Sequence, residues 1–158
     1  MMNTHRDPMR LHNLIKEKYI MLDLKEATKK KLLAELVNCI AKSGKVKDKK
    51  AFLAAIQKRE KLGSTGIGNG VAIPHAKSER VQDFILAFAR KDTGIDFGAL
   101  DGEKTYLFFM LASPMDDVGN HLKILADISR LVKDKFIVES LKNAKDQKEV
   151  LKIITMYA

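Results

Sequence analysis

Phe84-Ile85-Leu86-Ala87-Phe88-Ala89-Arg90 and Lys104-Thr105-Tyr106-Leu107-Phe108-Phe109-Met110-Leu111-Ala112 are the two runs on which the fold turns. Each is a short apolar segment bounded by turn formers, the pattern of a buried strand. Thr93-Gly94 and Asp101-Gly102 mark the connection between them. Val71 to Ile73 predicts another short strand, and Tyr19 to Leu24 a further one.

Helical patterns lie on either side of these strands. Leu32, Leu33, Leu36, Val37 and Ile40 repeat at helical spacing, predicting a helix over Glu26 to Lys42 that Ser43-Gly44 stops. Asp48 is a natural cap for a second helix, Lys49 to Lys61, whose apolar stripe carries Phe52, Ala55 and Ile56 and which Gly63 ends. Arg59 lies three residues after Ile56 and seven after Phe52, so it is expected on the inward stripe. Beyond Pro114 a helix beginning near Asp116 or Asp117 is expected to put Leu122, Leu125, Ile128 and Val132 on one face. Helices over Phe136 to Asn143 and Gln147 to Met156 follow. Strands in the middle with helices at both ends predict an α/β sandwich, a mixed central β-sheet flanked by helices on both faces. No repeat, low-complexity segment or linker divides the chain, so residues 19–158 are expected to form a single domain after an N-terminal extension, residues 1–18.

Composition narrows the setting. A chain of 158 residues with 46% apolar content can build one core without disulfides or metals. Cys39 is the only cysteine, which excludes an intramolecular disulfide and a Cys-rich zinc cluster and points to a reducing, cytoplasmic compartment. The apolar runs fall far short of the ~18 residues that cross a bilayer, and no signal-like segment precedes them, so no membrane insertion is expected. The net charge of +9 raises the question of nucleic acid. Yet the lysines cluster in Lys29-Lys30-Lys31, Lys42 to Lys50 and Lys133 to Lys152 without interleaved aromatics, and no zinc-finger or RNP-type motif accompanies them. Solvated helix faces explain such lysines best, an acidic protein partner next, and nucleic acid least.

Chemistry concentrates at Gly63-Ser64-Thr65-Gly66-Ile67-Gly68-Asn69-Gly70, which runs into Val71-Ala72-Ile73-Pro74-His75. Four glycines in the first eight positions permit positive φ and expose backbone N–H groups, so the loop is suited to cradling an anion. It lacks the Lys-Ser/Thr pair of a P-loop and the spacing of a dinucleotide fingerprint. Pro74 then holds His75 at a defined strand end. A neutral imidazole is nucleophilic near pH 7, and its phosphoramidate keeps a high transfer potential. A relay histidine needs one ring nitrogen fixed as a donor and cationic or N–H partners for the phosphoryl oxygens. Arg59 and His121 are the candidate helpers, with Ser64 and Thr65 adding hydroxyl donors for phosphate. His121, within the first turns of its helix, is expected to be neutral. Such transfer requires no cofactor, and the histidines lack the short spacing of a zinc site, so no metal is expected. On these residues alone His75 can also be an ordinary hydrogen-bonded loop histidine, Arg59 an ion-pair partner of Glu60 or a distant acid, and His121 a helix-end histidine.

Arg59-Glu60 followed by Gly63 through His75 closely resembles the active-site signature of the EIIA proteins of the bacterial phosphotransferase system, in the fructose, mannitol and nitrogen-regulatory branch. The likeness runs from about Ile20 to the C-terminus, and the glycine-loop wording looks most like the nitrogen-regulatory type. The resemblance implies a mixed sheet flanked by helices and a phosphoryl acceptor at His75, using Nε2 while a neighbour orients Nδ1. It implies Arg59 and His121 as the assisting residues. It also implies an HPr-type phosphocarrier protein as donor, and downstream either an EIIB domain, in sugar transport, or a regulated target protein. The lysine-rich surface is more basic than the family pattern.

Overall fold

The computed structural model describes residues 9–158; residues 1–8, with His5, lie outside the described residues. Alternation along two central strands creates both layers. Strands β5 (Ile85–Ile95) and β6 (Thr105–Pro114) pair antiparallel, with Phe88 opposite Phe109 and Leu86 opposite Leu111. Successive side chains of a strand point to opposite faces. Phe84, Leu86, Phe88, Leu107, Phe109 and Leu111 therefore enter one core, and Ile85, Ala87, Ala89, Phe108, Met110 and Ala112 the other. A sheet apolar on both faces must be covered on both. Helices α1 (Leu11–Leu14), α4 (Val118–Leu131), α5 (Lys135–Lys142) and α6 (Gln147–Tyr157) cover the first face. Helices α2 (Lys29–Ala41) and α3 (Lys49–Lys61) cover the second. Each fully buried phenylalanine contributes about 1.5–3 kcal/mol, and Phe52, Phe88, Phe97, Phe108 and Phe109 are all fully buried.

Four short strands complete the mixed sheet: β1 (Ile20–Met21), β2 (Gly66–Gly68), β3 (Val71–Ala72) and β4 (His75–Ser78). The order is β1-β5-β6-β3-β2, with β4 also on β6. β1 runs parallel to β5, and β3 and β4 run parallel to β6. Short acidic or hydroxyl side chains open the longer helices: Thr28, Asp48, Asp117, Asp134 and Asp146 each accept a backbone N–H of the first turn. Such a cap is worth about 1 kcal/mol.

The expected layout stands, and several boundaries move. The helix predicted from Glu26 starts at Lys29, because the Glu35 carboxylate accepts the N–H groups of Lys25 (3.2 Å) and Glu26 (3.2 Å) and holds them outside it. The strand predicted over Tyr19 to Leu24 keeps only two residues after a turn of 3-10 helix, Glu17–Tyr19. Leu11 and Ile15, within the stretch expected to be an extension, are buried in the core; one apolar pair at helical spacing is a faint signal in a polar segment. On α4 the inward residues are His121, Ile124, Ile128 and Leu131, and Leu122 is 59% exposed, so the face is rotated from the one expected.

Thr93-Gly94 is no connection either; it lies inside β5, where the pairing register shifts between Arg90 and Ile95. Gly94 has φ of 67°, and a Cβ there would stand 2.7 Å from Cε1 of Tyr106. Gly94→Ala is therefore expected to destabilise the fold by about 1–3 kcal/mol, read as a lower urea midpoint at unchanged m-value. An unchanged midpoint would mean that β5 tolerates another path at this position.

Candidate functional site

The site grows from a break in one strand. Val71 pairs opposite Leu107 and His75 opposite Leu111, so the register against β6 is the same on both sides of Ile73-Pro74. The segment from Val71 to Ser78 thus follows β6 as one line, interrupted where Pro74 has no N–H to give. The Ile73–Pro74 bond is trans. Pro74 still accepts from Leu111 N–H (2.9 Å), while Ile73 N–H turns the other way, to the Thr65 carbonyl (3.0 Å).

Parity then decides what meets. Val71 and Ile73 face the layer of α4, α5 and α6, and His75 shares their parity. On β6, Ser113 shares the parity of Leu107, Phe109 and Leu111. His121 sits on the inward face of α4, in its first turn. These three residues converge. The rings of His75 and His121 have centroids 5.5 Å apart at 53°.

Their protonation follows from their partners. Nδ1 of His75 lies 2.7 Å from the Ile73 carbonyl. A carbonyl only accepts, so Nδ1 carries the hydrogen and Nε2 keeps the lone pair. Burial pushes the His75 pKa below that of free imidazole; the Ile73 bond opposes this, the Arg59 charge adds to it and the Glu60 charge opposes it. His121 Nδ1 lies 2.7 Å from the buried Ser113 hydroxyl. Burial first, then His75 and Lys77, lower its pKa to about 4. Both rings favour the neutral form near pH 7.

Arg59 and Glu60 divide the work differently from the sequence expectation. Arg59 is half-buried at the C-terminal end of α3, and its Nη1 donates to the Gly63 carbonyl (2.8 Å). It does not pair with Glu60. Glu60 is the residue that turns inward: its side chain is 6% exposed, and its carboxylate pairs with Lys29 Nζ (2.8 Å). That carboxylate also accepts the Thr65 N–H (3.1 Å) and the Thr65 hydroxyl.

The Ser64 hydroxyl donates to the Phe97 carbonyl (2.8 Å) and accepts Gly66 N–H (3.0 Å). Ser64 and Thr65, expected as free phosphate donors, thus have their hydroxyl hydrogens committed to the protein. From Gly66 onward the glycine stretch has a structural task. It forms the β2–β3 hairpin, with Gly68, Asn69 and Gly70 all at positive φ and Asn69 N–H donating to the Asp101 carboxylate (3.2 Å). Gly70 lies against Tyr106 and Leu107, whereas His75 pairs with Leu111, roughly 13 Å further along the strand. An Asn-Gly pair before an apolar run is the hairpin signal that explains the glycines.

Ser113 and Glu60 are not among the site residues expected from the sequence. Ser113 was detectable as the polar interruption on the parity of Leu107, Phe109 and Leu111; nothing local marks Glu60 as buried. Among the described residues no group of His, Cys, Asp and Glu is arranged to hold a metal, and no helix is long and apolar enough to cross a membrane.

The family model described as "Phosphoenolpyruvate-dependent sugar phosphotransferase system, EIIA 2" matches residues 13–157. A fructose-specific EIIABC component of Bacillus subtilis (strain 168) is 34% identical over 94% of this chain, and the match spans 24% of that much longer protein. A nitrogen regulatory protein of Bradyrhizobium diazoefficiens is 35% identical over 94% of this chain and 96% of its own length. The crystal structure of the nitrogen regulatory protein IIA-Ntr from Neisseria meningitidis superposes with a TM-score of 0.86 at 32% identity, covering 91% of this chain and 98% of that one.

The depressed His121 pKa sets a pH dependence of stability. Folded at about 4 and unfolded near ~6.5, the ring takes up its proton first in the unfolded chain as pH falls. Its contribution is fully present above pH ~6.5 and is lost toward pH 4, at up to about 1.4 kcal/mol per pH unit. His75, also lowered, acts in the same direction. Urea unfolding between pH 7 and 4.5 is expected to show a shallower loss for His121→Gln, which cannot titrate; equal slopes would contradict a depressed pKa.

Proposed function

The chain belongs to the EIIA 2 family of the phosphoenolpyruvate-dependent sugar phosphotransferase system, which acts in phosphoryl transfer between proteins, and on that premise we propose that His75 is the residue that takes the phosphoryl group. The observation that carries the proposal is the bond from Nδ1–H to the Ile73 carbonyl, which leaves Nε2 as the nucleophile. The donor is a histidine-phosphorylated carrier of the HPr type. Nε2 attacks phosphorus, the phosphorus–nitrogen bond of the donor breaks, and the electron pair returns to the donor's ring, which carries a hydrogen on its other nitrogen and so leaves as neutral imidazole. The hydrogen on Nδ1 stays in place throughout.

Charge stabilisation comes from two sides. We read the Ser113 hydroxyl, which can donate or accept, as the donor to Nδ1, so that neutral His121 holds its hydrogen on Nε2 and offers it to a phosphoryl oxygen. Arg59 supplies the cation, and its effect on the His75 pKa supports an electrostatic reach to the ring. Ser64 and Thr65 brace the loop between α3 and the hairpin instead of binding phosphate directly. No cofactor enters these steps. The single, buried Cys39 supports a cytoplasmic setting.

For the downstream step we favour control of a partner protein by the phosphorylation state of His75, supported by the likeness to the nitrogen regulatory proteins. Passage to an EIIB domain is the second reading, supported by the fructose-specific relative whose name joins EIIA to B and C components.

Incubation with phosphoenolpyruvate, enzyme I and an HPr-type carrier is expected to add one phosphoryl group, acid-labile and base-stable, to the wild-type protein and none to His75→Ala. His121→Ala and Arg59→Ala are each expected to slow transfer by about 10²-fold with an unchanged circular dichroism spectrum. Label that survives His75→Ala would refute the assignment of the acceptor. Wild-type rates in His121→Ala would make that histidine purely structural.

A further inference from the structure

Glu60 is the buried charge that transfer chemistry leaves without a task. Taking a carboxylate out of water costs several kcal/mol unless partners replace the lost hydration. Here the replacement is nearly complete: Lys29 Nζ at 2.8 Å, Thr65 N–H at 3.1 Å and the Thr65 hydroxyl. Lys29 is itself held in place by the Phe97 carbonyl (3.2 Å) and by the Phe97 ring, whose centroid is 4.2 Å from Nζ.

The next links lead to the site. The Thr65 carbonyl accepts Ile73 N–H (3.0 Å), and the Ile73 carbonyl accepts Nδ1–H of His75 (2.7 Å). Ile73 occupies the gap between β3 and β4, so its N–H depends on Thr65. Whatever fixes Thr65 fixes the residue that selects the tautomer of His75. The same loop is held from its other end, where Arg59 donates to the Gly63 carbonyl (2.8 Å).

We propose that Glu60 is a positioning residue for phosphoryl acceptance: by gripping Thr65 through both its N–H and its hydroxyl, it fixes Ile73 and so holds His75 with hydrogen on Nδ1 and the lone pair of Nε2 presented. The proposal rests on the reading of His75 as the acceptor, but it makes a statement about the ring that is measurable without any phosphoryl donor. Glu60 touches no reacting atom, and its effect passes entirely through Thr65 and Ile73.

The test pairs imidazole ¹⁵N spectra of the full chain with transfer rates in wild type, Glu60→Ala, Glu60→Asp and Glu60→Gln. Wild-type His75 is expected to show one tautomer, hydrogen on Nδ1. Glu60→Asp keeps the charge beside Lys29 but is one methylene too short to grip both Thr65 groups. In Glu60→Ala and Glu60→Asp the His75 signals are expected to move toward a mixture of tautomers while those of His121, held separately by Ser113, stay in place. Transfer is expected to fall about 10- to 100-fold, by analogy with the loss of the outer hydrogen-bond partners that orient metal-ligating histidines. Glu60→Gln offers an amide oxygen to Thr65 N–H and an amide hydrogen to its hydroxyl, so it is expected to restore the single tautomer and most of the rate.

An unchanged His75 tautomer in Glu60→Asp would overturn the proposal. So would Glu60→Gln behaving like Glu60→Ala, since charge and not the grip would then be at work. Equal disturbance of His121 would overturn it as well, by showing general loosening. If the wild-type protein takes no label, the acceptor reading fails, and the spectra still decide whether Glu60 sets the ring.

Discussion

A proline that cannot contribute an N–H to a sheet is the constraint on which the site depends. Val71 to Ser78 keeps one register along β6, and Pro74 leaves that ladder without the N–H that residue 74 would have given it. Gly70 and Pro74 turn their carbonyls to β6, so by alternation Ile73 turns its own N–H and carbonyl away from that strand. Its N–H reaches the Thr65 carbonyl, and its carbonyl reaches back to the ring of His75, two residues on. The register is unchanged across the break, so the strand still delivers His75 to the α4 face. Alternation thus leaves the Ile73 carbonyl available to the ring while the surrounding sheet preserves position.

Opposing demands meet at the two imidazoles. A nucleophilic histidine has to be neutral, and burial of both rings, with the charges of Arg59 and Lys77 nearby, favours that state. A phosphoryl group transferred to His75, as proposed, carries negative charge and needs cations and donors that are already in place. Arg59 comes from α3, on the opposite layer of the sandwich from His121, so the two helpers proposed for His75 belong to different layers. Glu60 opposes part of the Arg59 effect on His75 while anchoring the loop between them.

Basic charge behaves differently. Lys30, Lys31, Lys47, Lys49, Lys50, Lys58 and Lys61 stand exposed on and around α2 and α3, in keeping with solvated helix faces. The buried side of these helices is apolar, and Lys29, alone among the lysines of this stretch, turns its ammonium to Glu60 and Phe97. One lysine of a charged run thereby becomes part of the scaffold of the site.

Much was legible in the residues themselves. The α/β class, the two central strands and the helix Lys49–Lys61 with its Asp48 cap all rest on local signals, period, cap and turn residues, whereas the pairing of His75 with His121 was implied by the family resemblance. Such local signals act within a few positions and so survive in the order of amino acids. The role of the glycines, the burial of Glu60, the commitment of the Ser64 and Thr65 hydroxyls, and Gly94 lying within β5 did not follow from that order. Each depends on a partner distant in the chain: Asp101 for Asn69, Lys29 for Glu60, Phe97 for Ser64, Tyr106 for Gly94. The sequence by itself determined which residue types could do the chemistry and on which strand and helix they lie. Tertiary structure alone decided which hydrogen bonds they keep, because a buried donor or acceptor takes whatever partner the packing of distant segments brings within reach.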